Sequence, residues 1–322
     1  MNLILIEGIA GAGKSSATHQ LGLHLEKVGY DVEWWFEQDP AHPIYPADQQ
    51  PQFDREIEDG KHNEIRDRVL ARWEALAARL AGTKKIVIIE CGFLQMVIDY
   101  HLLLDLPMAD AAEHVLAVEK LIAPLDPLLV LLYEENVETA LRSILTDRTS
   151  AWAHYLVQVY QQSPYGRRNG ICDYDGVIRA YATGRAEADA IFSRLSLRKL
   201  AIEKSAGDWR GYYNLITSEL GMQAIVPPAA PPANAEQLAG HYCSGEGTGQ
   251  GYQVMVGADA LYVSRMARLR LLPKQGNAFH VLGTRWEVEF STDSAGVAQE
   301  AILTEAGTDM QEVWKRTLGP NS

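Results

Sequence analysis

The stretch LILIEGIAGAGKSS, residues 3–16, decides the fold of this 322-residue chain. Its first five residues form an apolar run that ends at Glu7, which is typical of a buried strand. The next eight, GIAGAGKS, match the pattern G-x-x-x-x-G-K-[ST] in full. The segment THQLGLHL that follows places Leu21 and Leu25 on one face of a helix. A strand, a glycine loop and a helix in this order predict a loop that wraps phosphate groups.

The loop is expected to hold a nucleoside triphosphate, ATP or another NTP, because each residue type in it suits phosphate binding. Glycines let successive backbone N–H groups turn toward phosphate oxygens, and the N-terminus of the next helix adds its dipole. Lys14 supplies a positive charge to the outer phosphates, and Ser15 supplies a hydroxyl ligand for Mg²⁺. The predicted nucleotide-binding residues of the loop are Gly8, Ala10, Gly11, Ala12, Gly13, Lys14, Ser15 and Ser16. An incidental glycine turn is the alternative interpretation.

Strand-like and helix-like segments alternate along the first 220 or so residues. Apolar runs at 31–37, 84–90, 127–134 and 197–203 follow the first strand, and helical patterns separate them, among them one long helix at 54–81. Continuous apolar strands joined by helices are typical of a parallel sheet covered on both faces. We therefore expect the α/β fold of a P-loop NTPase, with a five-stranded parallel sheet and helices on both faces.

The composition changes near residue 226. The segment VPPAAPPANAEQ, 226–237, is rich in proline and alanine, as in a semi-rigid linker. Short alternating runs with Gly and Asp turns follow it, which predict a small antiparallel β-domain. The expected organisation is a phosphate-binding domain at 1–225, a linker at 226–235 and the β-domain at 236–322.

Two family resemblances add to this interpretation. IEGIAGAGKSS, residues 6–16, resembles the start of the P-loop nucleoside and nucleotide kinases, thymidylate kinases in particular, and element order extends the likeness over about 1–220. It implies an ATP- and Mg²⁺-dependent phosphotransferase that acts on a small-molecule hydroxyl or phosphate, such as a nucleoside, a nucleotide or a natural product.

The second resemblance concerns the β-domain. The small β-barrel accessory domain found behind serine hydrolases resembles the segment at 269–297, LRLLPKQGNAFHVLGTRWEVEFSTDSAGV. Packing or oligomerisation and a part in substrate recognition are both open roles for it.

Two carboxylates compete for the role of general base. Glu90 ends the strand at 84–90, and ligands of open α/β sheets bind beyond the carboxyl ends of strands. Glu90 is therefore expected to face the glycine loop, where it could hold Mg²⁺ or accept the proton of the attacking hydroxyl. Deoxynucleoside kinases resemble the chain here but have a Glu-Arg pair, whereas Cys91 follows Glu90. Asp39 is the rival, because an antibiotic-phosphorylating P-loop kinase resembles this arrangement; Asp before Pro is also a common turn opener.

The resemblance also implies a lid at about 147–175, a polar segment without an evident helical pattern. The segment LRSILTDR, 141–148, places Arg142 and Arg148 beside it, and lid arginines offset the charge of a transferring phosphoryl group. After the strand at 197–203, Ser205 and Gly207 occupy the place where related kinases hold the adenine ring. Aromatic residues such as Tyr45, Phe53 and Tyr100 are concentrated on the expected acceptor side, where a flat substrate could stack.

Composition excludes several other classes of protein. The net charge of −13 argues against binding to a nucleic-acid polymer, which needs a broad basic face. The three cysteines lack metal-site spacing and favour a reducing compartment. No apolar run reaches a membrane span or a signal peptide, so we expect a cytoplasmic protein with a small-molecule partner and no membrane contact. Homo-oligomerisation stays open, and an NTP-hydrolysing switch or regulatory nucleotide-binding module is the alternative function.

Overall fold

The computed structural model describes residues 1–39, 42–45, 50–148, 150–225, 230–244, 251–264 and 268–317. The chain divides into two compact units, one formed by 1–145 and 150–225 and the other by 146–149 and 226–322. The first four residues of the predicted linker lie outside the described residues. The two units are described separately below.

The first unit is built on a five-stranded parallel sheet with the order β2-β3-β1-β4-β5. Its strands are β1 Leu3–Glu7, β2 Val32–Trp35, β3 Ile86–Glu90, β4 Leu128–Tyr133 and β5 Arg198–Glu203. Side chains of β1 alternate between two hydrophobic clusters: Leu3 and Leu5 pack on one face with Trp73, and Ile4 and Ile6 pack on the other. Both faces are buried, which explains the continuous apolar runs and confirms the predicted fold class.

Helices cover both faces of this sheet. They are α1 Lys14–Lys27, α2 Gln50–Glu58, α3 His62–Leu80, α4 Gln95–Leu103, α5 Met108–Ile122, α6 Val137–Asp147, α7 Ser150–Gln162, α8 Pro164–Asn169, α9 Tyr174–Arg194 and α10 Trp209–Glu219. Within the described ranges, no helix has the length and apolar character needed to cross a bilayer.

Two sequence-based expectations about helices were wrong. The single helix expected at 54–81 is two helices, because Gly60 adopts a left-handed φ of 70° and ends α2. The polar segment at 147–175 is mostly helical rather than irregular. Leu156 and Tyr160 of α7 are buried, while the Ser163 and Asp173 side chains cap the next two helices. The polar residues of this segment therefore belong largely to the exposed faces and caps of helices.

The second unit is a closed barrel of eight antiparallel strands, preceded by the short helix α11 Ala235–Leu238. The strands are β6 Gly240–Cys243, β7 Gly251–Val256, β8 Leu261–Ser264, β9 Arg268–Pro273, β10 Ala278–Val281, β11 Trp286–Thr292, β12 Ala298–Glu305 and β13 Gln311–Thr317. Consecutive strands pair in order, and β13 closes the barrel on β6. The predicted all-β character of this part is confirmed.

Candidate active site

The glycine loop connects β1 to α1 and depends on glycine at three points. Gly8, Gly11 and Gly13 have φ values of 143°, 76° and 85°, which L side chains rarely adopt. A Cβ atom on Gly8 would lie 2.3 Å from the carbonyl oxygen of Leu132, and one on Gly11 would lie 2.3 Å from Ile144 Cδ1. Side chains are thus excluded from a backbone cradle that leads directly into the N-terminus of α1. This shape suits the phosphate groups of a nucleotide.

Lys14 is the first residue of α1 and is buried. Its Nζ atom donates to the Ile9 carbonyl oxygen at 3.3 Å, within the glycine loop. Burial by itself would lower the pKa of Lys14, but acidic neighbours, Glu37 and Glu90 among them, outweigh it and raise the pKa. The loop therefore contains a permanent positive charge, as binding of the outer phosphates requires.

Ser15 and Glu90, the two predicted magnesium ligands, lie side by side. The Ser15 hydroxyl donates to Glu90 Oε1 at 2.7 Å, and Glu90 Oε2 accepts from the Glu37 N–H at 3.4 Å. Burial raises the pKa of Glu90, opposed by Lys14 and by the hydrogen bond from Ser15. The described residues contain no cluster of three or more His, Cys, Asp or Glu suited to a metal ion. A hydroxyl beside one carboxylate fits Mg²⁺, which takes few protein ligands and fills its octahedron with phosphate and water oxygens.

Glu7 at the end of β1 organises the loop that follows β3. Its Oε1 atom accepts backbone N–H bonds from Gly92, Phe93 and Leu94 at 2.8–3.1 Å, and Oε2 accepts from Gln95 at 2.9 Å. Burial raises the pKa of Glu7, while these donors and Lys14 oppose the rise. The carboxylate thus caps the N-terminus of α4 and fixes the chain directly after Glu90.

The two carboxylates after β2 have different surroundings. The Asp39 side chain is buried and accepts a 2.7 Å hydrogen bond from the Phe36 N–H, which closes the turn Phe36–Asp39. Glu37 is only half-buried, and its charge raises the pKa of Lys14 and of Asp99. Among the acidic residues of this turn, Glu37 is therefore the one whose charge acts on Lys14. The sequence pattern alone did not distinguish it from Asp39.

The predicted arginines lie on the protein surface. Arg142 is exposed and pairs with Glu138 at 2.9 Å and with Asp175 at 2.7 Å, and Arg148, just after α6, is exposed as well. An arginine of α9 lies closer to the loop. Arg185 lines a narrow cleft of 30 Å³ together with Gly8, Ile9 and Asp99.

Arg185 is held in a fixed position. Its guanidinium carbon lies 4.4 Å from the ring centroid of Tyr133, and its Nη1 atom donates to the Glu134 carbonyl oxygen at 3.2 Å. Its Nε atom donates to Asp189 at 2.8 Å, one turn further along α9. From the sequence, Arg185 is one of several arginines after the expected lid, and it ranks below Arg142 and Arg148 because nothing in its neighbourhood marks it apart from the others.

The segment after β5 contributes to the loop through an aromatic ring. Ser205 donates to Glu203 at 2.8 Å, and Gly207 has a φ of 67°; both are exposed. Trp209, at the start of α10, packs directly on the glycine loop, since a Cβ atom on Gly13 would lie 2.2 Å from its ring. The segment after β5, where the adenine ring is expected to bind, therefore contacts the glycine loop through the Trp209 ring.

A larger pocket of 620 Å³ lies among α2, α3, α4 and α5. Its walls are mainly apolar and aromatic, and they include Tyr45, Phe53, Ile57, His62, Val69, Met96, Val97, Tyr100, Leu104 and His114. Burial, and to a lesser degree the charges of Glu37 and Glu90, raise the pKa of Tyr45, so the pocket at Tyr45 is within electrostatic reach of these candidate carboxylates. The pocket is of the size and character of small-molecule sites.

Comparisons with solved structures identify neighbours of low sequence identity. No protein-family model and no curated protein matches the chain. One similar structure is deoxyadenosine kinase from M. mycoides with bound dATP, at 13% identity and a TM-score of 0.38, covering 68% of this chain and 99% of that one. Another is the YorR protein from Bacillus subtilis in complex with phosphorylated GDP, at 13% identity and a TM-score of 0.36, covering 69% and 99%. Similarity this weak leaves the activity to be judged from the site itself.

Proposed function

We propose that the chain is an ATP- and Mg²⁺-dependent phosphotransferase that phosphorylates a hydroxyl or phosphate group of a small molecule. The observation that carries the proposal is the 2.7 Å hydrogen bond between Ser15 of the glycine loop and Glu90, at the carboxyl end of the neighbouring strand. It joins a phosphate-binding loop to a carboxylate at the edge of the sheet where ligands of α/β folds bind. Nucleosides, nucleotides and natural products are the acceptors we expect.

The donor side of the site would be formed by Lys14, Ser15 and Glu90. Lys14 would pair with the outer phosphates, and Ser15 would contribute its oxygen to Mg²⁺ while its hydrogen bond to Glu90 holds the hydroxyl in place. Bound Mg²⁺ would neutralise phosphate charge during transfer. Trp209 would flank the nucleotide from the α10 side. The backbone at Ser205 and Gly207 would approach the adenine ring beside Trp209.

The acceptor side would combine Glu37 with the 620 Å³ pocket. Glu37 would accept the proton of the attacking hydroxyl, with Asp39 closing the turn that positions it. The acceptor would enter among the aromatic walls and present its reacting oxygen near Tyr45. Arg185 would supply positive charge beside Gly8, the role expected from sequence for Arg142 and Arg148. Positioning and charge of this kind are the main requirements of phosphoryl transfer.

ATP consumption with and without a panel of nucleosides, nucleotides and hydroxylated natural products tests the proposal. Lys14→Ala should lower acceptor-dependent turnover by about 10²-fold or more, since a preorganised charge on the transferred group is lost. Lys27→Ala is the matched control, because Lys27 is an exposed lysine at the other end of the same helix. Wild-type turnover in the Lys14→Ala protein would refute the proposal. Hydrolysis that no acceptor changes would favour the nucleotide-dependent switch instead.

A further inference from the structure

The barrel of the second unit encloses a cavity of 310 Å³. Its lining consists of inward-facing residues of the strands and one turn residue: Tyr242, Tyr252, Val254, Val263, Leu269, Leu271, Val281, Thr284, Trp286, Val288, Phe290, Ala301 and Leu303. Cavities much larger than a water molecule are rare in packed domains. An engineered apolar cavity of about 150 Å³ already takes up benzene. This one is larger and reaches the lower end of the range of small-molecule pockets, roughly 300–1,000 Å³.

The chemistry of the walls favours an uncharged occupant. Among the described residues, no charged side chain lines the cavity. The Tyr242 hydroxyl donates to the Leu238 carbonyl oxygen at 2.5 Å, and the Thr284 hydroxyl donates to the Val281 carbonyl oxygen at 2.8 Å. Tyr242 and Thr284 thus already use their hydroxyl hydrogens within the barrel. A buried charge on a ligand would have no oppositely charged partner in these walls, and its desolvation would oppose binding.

The described residues of the barrel are more deeply buried at one end than at the other. Leu238 of α11 and Ala298 at the start of β12 are fully buried at one end of the barrel. At the opposite end, Tyr252, Leu269 and Trp286 are only half-buried although their side chains line the cavity.

We propose that the barrel binds a small, uncharged, apolar molecule in this cavity. An empty apolar cavity deprives its lining of dispersion contacts, and an occupant of matching polarity restores them. Barrels of about eight strands can hold one small ligand in this way. The inference rests on the barrel alone and is independent of the phosphotransferase proposed for the first unit.

Titration of the full-length protein with N-phenylnaphthylamine tests the inference, since this uncharged probe becomes fluorescent in apolar surroundings. The matched variants are Val288→Phe, which fills the cavity from β11, and Glu289→Phe, which places the same ring on the exposed face of the same strand. We expect saturable binding to the wild-type protein and to Glu289→Phe, and affinity about ten-fold lower or worse for Val288→Phe. Ala301→Leu, a smaller filling substitution, gives the same readout if Val288→Phe fails to fold, because overpacking disrupts some cores.

Energy transfer from tryptophan to the probe gives a second measurement. Trp286→Phe should keep the binding while reducing this transfer, since Trp286 lines the cavity. Equal probe affinity in wild-type protein, Val288→Phe and Ala301→Leu would place the probe outside the barrel, for instance in the pocket of the first unit, and would overturn the inference. Absence of saturable binding to the wild-type protein would overturn it as well.

Discussion

The turn after β2 contains two carboxylates, Glu37 and Asp39, that differ in their surroundings. Asp39 stabilises the turn, and Glu37 is the candidate general base. Asp39 is used in closing the turn, whereas Glu37 acts electrostatically on Lys14 and Glu90. We expect Glu37→Gln to lower kcat by about 10²–10⁴-fold with little change in ATP affinity, because a general base contributes about that much. Asp39→Asn should instead lower the free energy of unfolding by up to about 1.5–3 kcal/mol, the contribution of a hydrogen bond to a charged acceptor.

Steady-state kinetics and denaturant unfolding of both variants separate these roles. Glu135→Gln is a suitable control for Glu37→Gln, since Glu135 is an exposed residue after β4. A Glu37→Gln enzyme with unchanged kcat, together with an inactive but stable Asp39→Asn enzyme, would return the role of base to Asp39.

Asp99 gives the site a pH-dependent stability. Burial, and to a lesser degree the charge of Glu37, raises its pKa from 3.8 to about 7. Between these values the folded chain retains a proton that the unfolded chain releases, so a rise in pH favours unfolding. The contribution of Asp99 to the free energy of unfolding therefore falls between about pH 4 and 7 and is constant above. One pKa unit corresponds to about 1.4 kcal/mol, which sets an upper limit of about 4 kcal/mol.

The comparison of wild-type protein with Asp99→Asn isolates this group from other titrations. The variant should gain stability relative to the wild-type protein as the pH rises from 4 to 7, measured by urea unfolding at each pH. A difference between the two proteins that does not vary with pH would show that Asp99 titrates normally.

At the scale of elements, Glu7 connects β1 to the N-terminus of α4. Glutamine in its place keeps one acceptor oxygen but turns an amide N–H₂ toward backbone donors, so at least one buried N–H of the four loses its partner. Each such loss costs about 1–3 kcal/mol. We therefore expect Glu7→Gln to lower the free energy of unfolding by at least that amount in guanidinium titrations. The exposed Glu64→Gln on α3 should change it by less than about 0.5 kcal/mol.

The elements themselves were largely predictable because their signals are local. A strand buried on both faces must be apolar along its length, as β1, β3 and β4 are up to their last residues, Glu7, Glu90 and Tyr133. The helices at 150–169 were missed because their buried positions are few, and the surrounding polar residues obscured the helical period. The break at Gly60 was present in the sequence as Asp59-Gly60, but the apolar pattern on either side suggested one continuous helix.

The positions of candidate-site residues could be predicted from the sequence where a short segment determines them. They could not be predicted where contacts between distant segments determine them. Lys14 and Ser15 belong to one loop pattern, and Glu90 follows from the end of a strand. The orientation of Arg185 is determined by the packing of α9 near Tyr133. The hydrogen bond that closes the turn after β2 engages Asp39, which leaves Glu37 as the candidate base. Such orientations depend on contacts between distant segments, which local sequence does not encode.

At the scale of the whole molecule, each unit has its own hydrophobic core, formed by the two faces of the sheet in the first and by the barrel interior in the second. We therefore expect two separable unfolding transitions in calorimetry of the full-length chain, as separate cores unfold cooperatively on their own. Mg²⁺ with a non-hydrolysable ATP analogue should raise the midpoint of one transition, and N-phenylnaphthylamine should raise the other. A ligand at about 100 times its Kd contributes about 2.7 kcal/mol to the unit that binds it.

The variants introduced above identify which transition belongs to which unit. Lys14→Ala should abolish the nucleotide-dependent shift and keep the probe-dependent one, and Val288→Phe should do the reverse. Because each ligand stabilises only the folded state that binds it, the two shifts should be independent and additive when both ligands are present. A single transition that both ligands raise would show instead that the two cores unfold as one cooperative unit.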